Sequence, residues 1–251
     1  MRPNEQWSTK SPFAGAKERD TLNWVLLFHG VSDNRVGVLG VADFLLRAGY
    51  GIVMMDSRAH GESGGERATY GWKERDDVTA IVSALEVSVH PQCIFAFGVS
   101  MGGGIAPQSA AVEPRLSAVA AEAPFSSFRE ASYDYAGFHR SPWLGRILFR
   151  PVVEAGFLAT QKIAGFRASD VSPEKSVARR SFPILLIGDA DDPVLPLRHQ
   201  QIILAAAARP KELWIVPGAT HAGAMGVAPE EYSRRVLSFF AAARTTCSVP
   251  K

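Results

Sequence analysis

The segment Gly98-Val99-Ser100-Met101-Gly102 is the strongest chemical signal in the chain. A serine hydroxyl is a poor nucleophile until a base takes its proton, and the base needs an acid to orient it. The G-x-S-x-G pattern arises by chance in glycine-rich sequence, so its surroundings decide what it means. Cys93 to Phe97 ahead of it is an apolar run of strand length, and Gly103-Gly104-Ile105-Ala106 after it can open a helix. A strand-to-helix elbow holds the serine in a strained backbone conformation and requires small residues two before and two after it. The hydroxyl then stands above the sheet edge, near the positive end of the following helix. The bland alternative is a glycine-rich turn with an idle serine.

Six histidines could supply the base. His221 lies in Pro217-Gly218-Ala219-Thr220-His221-Ala222-Gly223, just after the apolar run Leu213 to Val216. A loop after a late strand is where an α/β sheet presents catalytic groups. His29 precedes Gly30 and His60 sits in a glycine-rich turn, which gives both a structural reading. His199 falls on a helix after Pro196, and His90 and His139 have no supporting context. His221 is the candidate.

For the acid, Gly188-Asp189-Ala190-Asp191-Asp192-Pro193-Val194-Leu195-Pro196 follows the run Ile184 to Ile187, which puts serine, acid and histidine in that chain order. The doubled form D-D-x-V-x-P places the orienting carboxylate first and favours Asp191, whereas counting back from Pro196 favours Asp192. Asp189 reads as a turn residue. Glu122, ending another strand, is a conceivable substitute acid with a structural reading beside it. A developing oxyanion needs N–H donors: Met101 after the nucleophile is one, and Val31 in the loop Phe28-His29-Gly30-Val31-Ser32 is the favoured second.

These residues need a frame. Six apolar runs of strand length begin at Trp24, Ile52, Cys93, Leu116, Ile184 and Leu213, without polar alternation. Such runs suit strands buried on both faces of a parallel sheet. Between them, Val38 to Ala48, Glu74 to Val87 and Glu230 to Ala243 have helical spacing, with Asp76 and Asp77 in a first turn that favours negative charge. The alternation predicts an α/β fold, a mostly parallel sheet with helices on both faces, in one domain over 1–251. The stretch of about 129–169 breaks the rhythm: Trp143, Phe149, Phe157 and Phe166 are interleaved with arginines. It reads as a helical insertion that is an amphipathic cover, a lid over an apolar pocket, or a membrane-surface contact. Arg129, Arg140, Arg146, Arg150, Lys162 and Arg167 outnumber Glu130, Asp134 and Glu154 there, a local basic excess at the expected substrate entrance.

Composition removes other classes. A chain of 251 residues with 47% hydrophobic content can bury a substantial core and is too apolar for a disordered one. A net charge of +2 argues against nucleic acid as a partner, because phosphate binding needs concentrated basic surface. No uncharged run reaches the length of a membrane span, and Met1 to Gln6 lacks the apolar core of a leader, so the expectation is a cytoplasmic protein without stable membrane insertion. Cys93 and Cys247 make no disulfide framework. The oligomeric state is not legible.

In order and spacing, His29-Gly30, Asp56-Ser57-Arg58-Ala59-His60-Gly61-Glu62-Ser63, Gly98 to Gly102, Gly188 to Pro196 and Gly218 to His221 resemble the α/β-hydrolase superfamily. Asp56 to Gly65, with Thr69-Tyr70-Gly71 and Glu74 to Asp77, is most similar to bacterial esterases related to the prolyl-oligopeptidase catalytic domain. The resemblance covers about Leu22 to Phe240. It implies a serine hydrolase with no metal or organic cofactor and does not fix the substrate; the leading expectation is a carboxylesterase of short to medium acyl esters, small-molecule substrates, acting through Ser100, Asp191 and His221. Lipase, thioesterase and peptidase action share that triad, and a non-catalytic binding module shares the fold. Two departures stand out: Met1 to Thr21 contains no run for the two leading edge strands common in the superfamily, and there is no propeller domain.

Overall fold

The computed structural model describes residues 22–137, 143–208 and 210–247. The stretch Met1 to Thr21, His139 and Arg140 lie outside the described residues. Among the described residues six strands form one sheet, β1 (Asn23–Phe28), β2 (Gly51–Met55), β3 (Cys93–Val99), β4 (Leu116–Glu122), β5 (Ile184–Asp189) and β6 (Lys211–Val216), in the order β2-β1-β3-β4-β5-β6. Every pairing is parallel. The nine α-helices among the described residues are α1 (Leu39–Arg47), α2 (Glu74–Val89), α3 (Met101–Val112), α4 (Phe128–Ala136), α5 (Arg150–Ala164), α6 (Pro173–Arg179), α7 (Arg198–Ala206), α8 (Ala224–Val227) and α9 (Pro229–Ala243).

Alternate strand residues point to opposite faces, and each face has its own core. Val25, Leu27, Phe95 and Phe97 pack with Val41 and Leu45 of α1 and Tyr232, Val236 and Phe240 of α9. Leu26, Phe28, Ile94 and Ala96 pack on the other side with Val78, Val82 and Leu85 of α2, Ile105 of α3 and Ile203 of α7. This double burial explains the unalternated apolar runs of the inner strands. The outer strands depart from that expectation: β2 is mostly half-buried, and in β6 Glu212 and Ile215 are exposed. Among the described residues each pairs with a single neighbour, at the edge of the sheet.

Register aligns the carboxyl ends of the strands. Phe28 pairs with Gly98, Val99 with Glu122, Glu122 with Ile187, and Asp189 with Val216. The loops after β1, β3, β5 and β6 therefore emerge along one edge. Strand order reverses between β1 and β3, which opens a crevice where α/β sheets bind ligands.

Between β4 and β5 come α4, a π-helical turn (Leu144–Leu148), α5 and α6. Phe157 and Tyr133 are buried together with Ala168, and Phe166 packs with Phe125, Val171 and Leu195. The segment is thus a cover packed on the body, while Trp143, Ile147, Val152 and Leu158 remain exposed on its outer side. Of the positive charges expected at the entrance, three are paired with carboxylates. Arg129 pairs with Glu154, Arg146 with Glu130 and Arg167 with Asp170.

Cys93 and Cys247 are joined in a disulfide that ties the start of β3 to the turn after α9. A separation of 154 residues carries no spacing signal, so the pairing was invisible in sequence. Such bonds persist where thiols are kept oxidised, and this one lends no support to the cytoplasmic expectation. No described helix is long and apolar enough to cross a membrane.

Candidate active site

Ser100 sits between β3 and α3 with φ 53° and ψ −112°, a backbone strain that persists only where the surroundings enforce it. The two flanking glycines are required sterically. A Cβ on Gly98 would lie 2.1 Å from the Gly102 carbonyl oxygen, and one on Gly102 would lie 2.3 Å from that of Phe28. The Ser100 N–H donates to the Glu122 carbonyl at 2.9 Å, and the Gly102 N–H donates to the His29 carbonyl at 3.1 Å. The elbow is bolted to both neighbouring strands.

His221 lies in the loop after β6, with Nε2 2.8 Å from Ser100 Oγ and Nδ1 2.7 Å from Asp192 Oδ2. The acid on the imidazole is Asp192, which corrects the preference for Asp191. Asp191 is exposed, and its backbone N–H is held by the Ala219 carbonyl at 2.9 Å. Asp192, one residue on, is buried. Its Oδ1 accepts from the Val194 and Leu195 N–H groups at 2.7 and 2.9 Å, an Asx turn that leaves Oδ2 for the histidine. The Asp-Pro pair at 192–193 signals a turn in the sequence, but a turn signal does not say which of the two adjacent carboxylates faces the histidine.

Val31 and Met101 both line the cavity that contains Ser100. Met101 opens α3, where the first N–H groups have no intrahelical acceptor. Gly30 brings the β1 loop close, since a Cβ there would be only 3.6 Å from Ser100 Cβ. Two histidines brace that loop, as their structural reading anticipated. His29 Nδ1 donates to the Gly30 carbonyl at 2.7 Å while Nε2 accepts from the Ser57 N–H at 2.9 Å. His60 Nε2 accepts from the Ser32 N–H at 3.3 Å. Burial pushes the His29 pKa down, which favours the neutral ring this pattern needs. Behind them Asp56 accepts from the Glu62 and Arg35 N–H groups and from the Arg35 guanidinium. The Glu62 N–H chiefly holds the Asp56 carboxyl below its ordinary value.

The cavity beside Ser100 has a volume of about 330 Å³ and an apolar wall of Tyr70, Phe125, Phe128, Ala131, Tyr135 and Leu195. Sequence reasoning placed a pocket under the insertion but named none of these residues as its wall. Tyr70 has one local signal: Glu74 accepts from Thr69 and Gly71 N–H groups at 2.7 and 2.8 Å, clasping a turn with Tyr70 at φ 54°. Glu122 does not touch the His221 ring; its carboxylate accepts from the Ala224 N–H and the Tyr232 hydroxyl. His90 caps α2 and His199 is buried on α7 against Asp134.

A serine hydrogen-bonded to an imidazole, itself held by a carboxylate beside an apolar cavity, can support attack on a carbonyl. The comparisons with known proteins agree in kind. Residues 20–155, more than half the chain, match the family described as Serine aminopeptidase, S33. The chain is 29% identical over 225 residues to the uncharacterized protein YqkD of Bacillus subtilis, covering 88% of this chain and 72% of that one. It is 25% identical to the uncharacterized protein Rv2307c of Mycobacterium tuberculosis, over 78% of this chain and 62% of the relative. Among solved structures, the Pyrococcus furiosus esterase Pf2001 superposes with a TM-score of 0.70 at 25% identity, covering 88% of this chain and 83% of the esterase.

Proposed function

The chain belongs to the α/β-hydrolase superfamily, in the family described as Serine aminopeptidase, S33, and we propose that it is a carboxylesterase of short to medium acyl esters. The observation that carries this reading is the continuous hydrogen-bonded path from Ser100 Oγ through His221 to Asp192, with steps of 2.8 and 2.7 Å. Ser100 Oγ attacks the ester carbonyl while His221 Nε2 takes its proton. Asp192 fixes the imidazole tautomer and balances the imidazolium. The Met101 and Val31 N–H groups receive the oxyanion. His221 returns the proton to the departing alcohol, and water, activated by the same base, releases the acyl group from Ser100.

The cavity supports the substrate class. An apolar cavity of about 330 Å³ beside Ser100 suits a short to medium acyl chain. The family description gives weight to an aminopeptidase as the second reading. An aminopeptidase must neutralise the substrate's α-ammonium group, yet among the described residues lining this cavity there is no carboxylate. That favours esters.

The test is a panel of p-nitrophenyl esters of increasing chain length, with thioester and aminoacyl amide members, and Ser100→Ala as control. The expected result is ester turnover peaking at short to medium chains, abolished by Ser100→Ala. A fluorophosphonate probe should label Ser100. Preferential cleavage of aminoacyl amides would shift the reading to the peptidase, and activity equal in both proteins would remove the enzyme altogether.

A further inference from the structure

Two buried carboxylates lie beneath the histidine loop, and the chemistry described above uses neither. Asp189 ends β5, is 1% exposed, and its Oδ2 accepts from the Ala222 N–H at 2.7 Å. Glu122 ends β4, is 2% exposed, and accepts from the Ala224 N–H at 3.1 Å and the Tyr232 hydroxyl at 2.6 Å. Ala222 directly follows His221 and has φ 57°, a left-handed conformation that costs energy in any residue with a Cβ. A loop of this kind keeps its shape only if something outside it holds it.

We propose that Asp189 and Glu122 are positioning residues that hold the His221 loop by its backbone and so set the imidazole against Ser100. The inference rests on Ser100 and His221 acting as nucleophile and base. Burying two carboxylates side by side is unfavourable, and a structural turn could be closed by neutral groups. What a charged acceptor adds is a stronger hydrogen bond to each N–H than a neutral one gives. Asp192 is separately fixed by its Asx turn, so the acid and base are held by different groups.

The pair also links this hold to pH. Burial pushes Glu122 up to about 7, with the nearby Asp189 charge adding to the rise, against hydrogen bonds from Tyr232 and Ala224. Burial likewise pushes Asp189 up to about 6, opposed by the Ala222 N–H and reinforced by Asp192. The groups facing the pair are therefore Tyr232 of α9, Asp192, and His221 with its loop. Below these values the carboxylates take up protons and weaken as acceptors, so the loop is held best above neutrality. The two carboxylates titrate as a coupled pair, so the apparent values belong to the pair.

The experiment measures kcat, KM and the rate of fluorophosphonate labelling of Ser100 across pH in wild type, Asp189→Ala, Asp189→Asn, Glu122→Gln and Tyr232→Phe. Asp189→Ala should lower kcat and labelling by about a hundredfold with KM unchanged, the scale of a displaced catalytic group. Asp189→Asn, which keeps only a neutral acceptor for Ala222, should recover just part of that loss. The wild-type acid limb should be steeper than one proton, and Glu122→Gln should make it shallower. Tyr232→Phe removes a hydrogen bond to the ionised carboxylate and should move the limb to higher pH. If Asp189→Ala fails to fold, the Glu122→Gln and Tyr232→Phe profiles carry the test. Wild-type labelling rates in folded Asp189→Ala, or profiles unchanged in both Glu122→Gln and Tyr232→Phe, would overturn the inference alone. Labelling without ester turnover would sink only the choice of esters as substrate. No labelling of the wild type would sink the serine-hydrolase reading and this inference with it.

Discussion

The molecule contains the same three residue types twice at nearly the same distances. At the sheet edge, Ser100 Oγ, His221 and Asp192 are joined at 2.8 and 2.7 Å. Under the cover, Ser126 Oγ, His199 and Asp134 are joined at 2.9 and 2.8 Å. The first set borders an apolar cavity, and its histidine side chain is 23% exposed. The second is closed: Ser126 and His199 are 0% exposed, and Asp134 also pairs with Arg198. In the closed set the Ser126 N–H donates to Nδ1 as well, at 3.2 Å, so the lone pair facing the serine is already engaged. Among the six residues of the two sets, Ser100 alone has a positive φ, at 53°. Distances alone do not set the two apart; access and backbone strain do.

The sharpest way to break the comparison is to delete each serine. Ser100→Ala should cost at least about 10⁴-fold in kcat/KM for a p-nitrophenyl ester. Ser126→Ala should leave turnover near wild type. Comparable losses in both would mean that the closed set takes part in the chemistry. The acids extend the contrast: Asp192→Asn should cost about 10⁴-fold in kcat through the wrong imidazole tautomer, while Asp191→Asn should leave kcat at the wild-type level.

That second pair marks where the sequence stopped being legible. The six strands, their order along the chain, the elbow and His221 follow from local patterns, because strand burial and a strand-to-helix turn are short-range demands. Asp191 and Asp192 differ by one residue, and the choice between them depends on where an Asx turn and the Ala219 carbonyl send the two side chains. The closed latch of Ser126, His199 and Asp134 was opaque for another reason. His199 and Asp134 are 65 residues apart, and neither lies in a local pattern that calls for the other. The same holds for the Cys93–Cys247 bond and for the acceptor role of Asp189, which looked like an ordinary turn residue.

Breaking the closed set should appear in stability first. Asp134→Ala leaves Arg198 and His199 without their shared acid in a buried setting, and should lower the unfolding free energy by about 3 kcal/mol in a denaturant titration. A change indistinguishable from zero would mean that the latch does not hold α4 down.

The latch should also respond to acid. Burial chiefly pushes the His199 pKa below 6.5, although Asp134 opposes this. Below pH 6.5 the unfolded chain therefore binds a proton that the native ring resists, and stability must fall as pH drops. Asp134 acts in the same direction at lower pH. Burial opposes its ionisation, but hydrogen bonds from His199 and Arg198 hold its pKa below the ordinary value. Its contribution is present above the unfolded pKa and lost as pH falls through the folded one. Replacing the ring with a non-titrating side chain, His199→Gln, should flatten the wild-type decline just below pH 6.5. An unchanged pH dependence of the melting temperature would remove His199 as its source.

One helix joins the two regions. On α4, Glu130 and Asp134 lie one turn apart and meet the Arg198 and His199 side, while Ala131 and Tyr135, also one turn apart, line the cavity beside Ser100. The residues that meet Arg198 and His199 and those that wall the cavity thus share one helix. Adding volume to that wall tests the connection more gently than removing the latch. Ala131→Leu places three further carbons in the cavity and should lower kcat/KM for the longest accepted esters by about tenfold, the scale of a methylene or two in an apolar pocket. Acetate esters, which need little of the cavity, should be spared. If Asp134→Ala relaxes α4, the double variant should accept the longer esters again, because the helix carrying the added leucine can then move away. An unaltered chain-length profile in Ala131→Leu would show that α4 does not bound the acyl site, and the open and closed sets would then be neighbours with no common element.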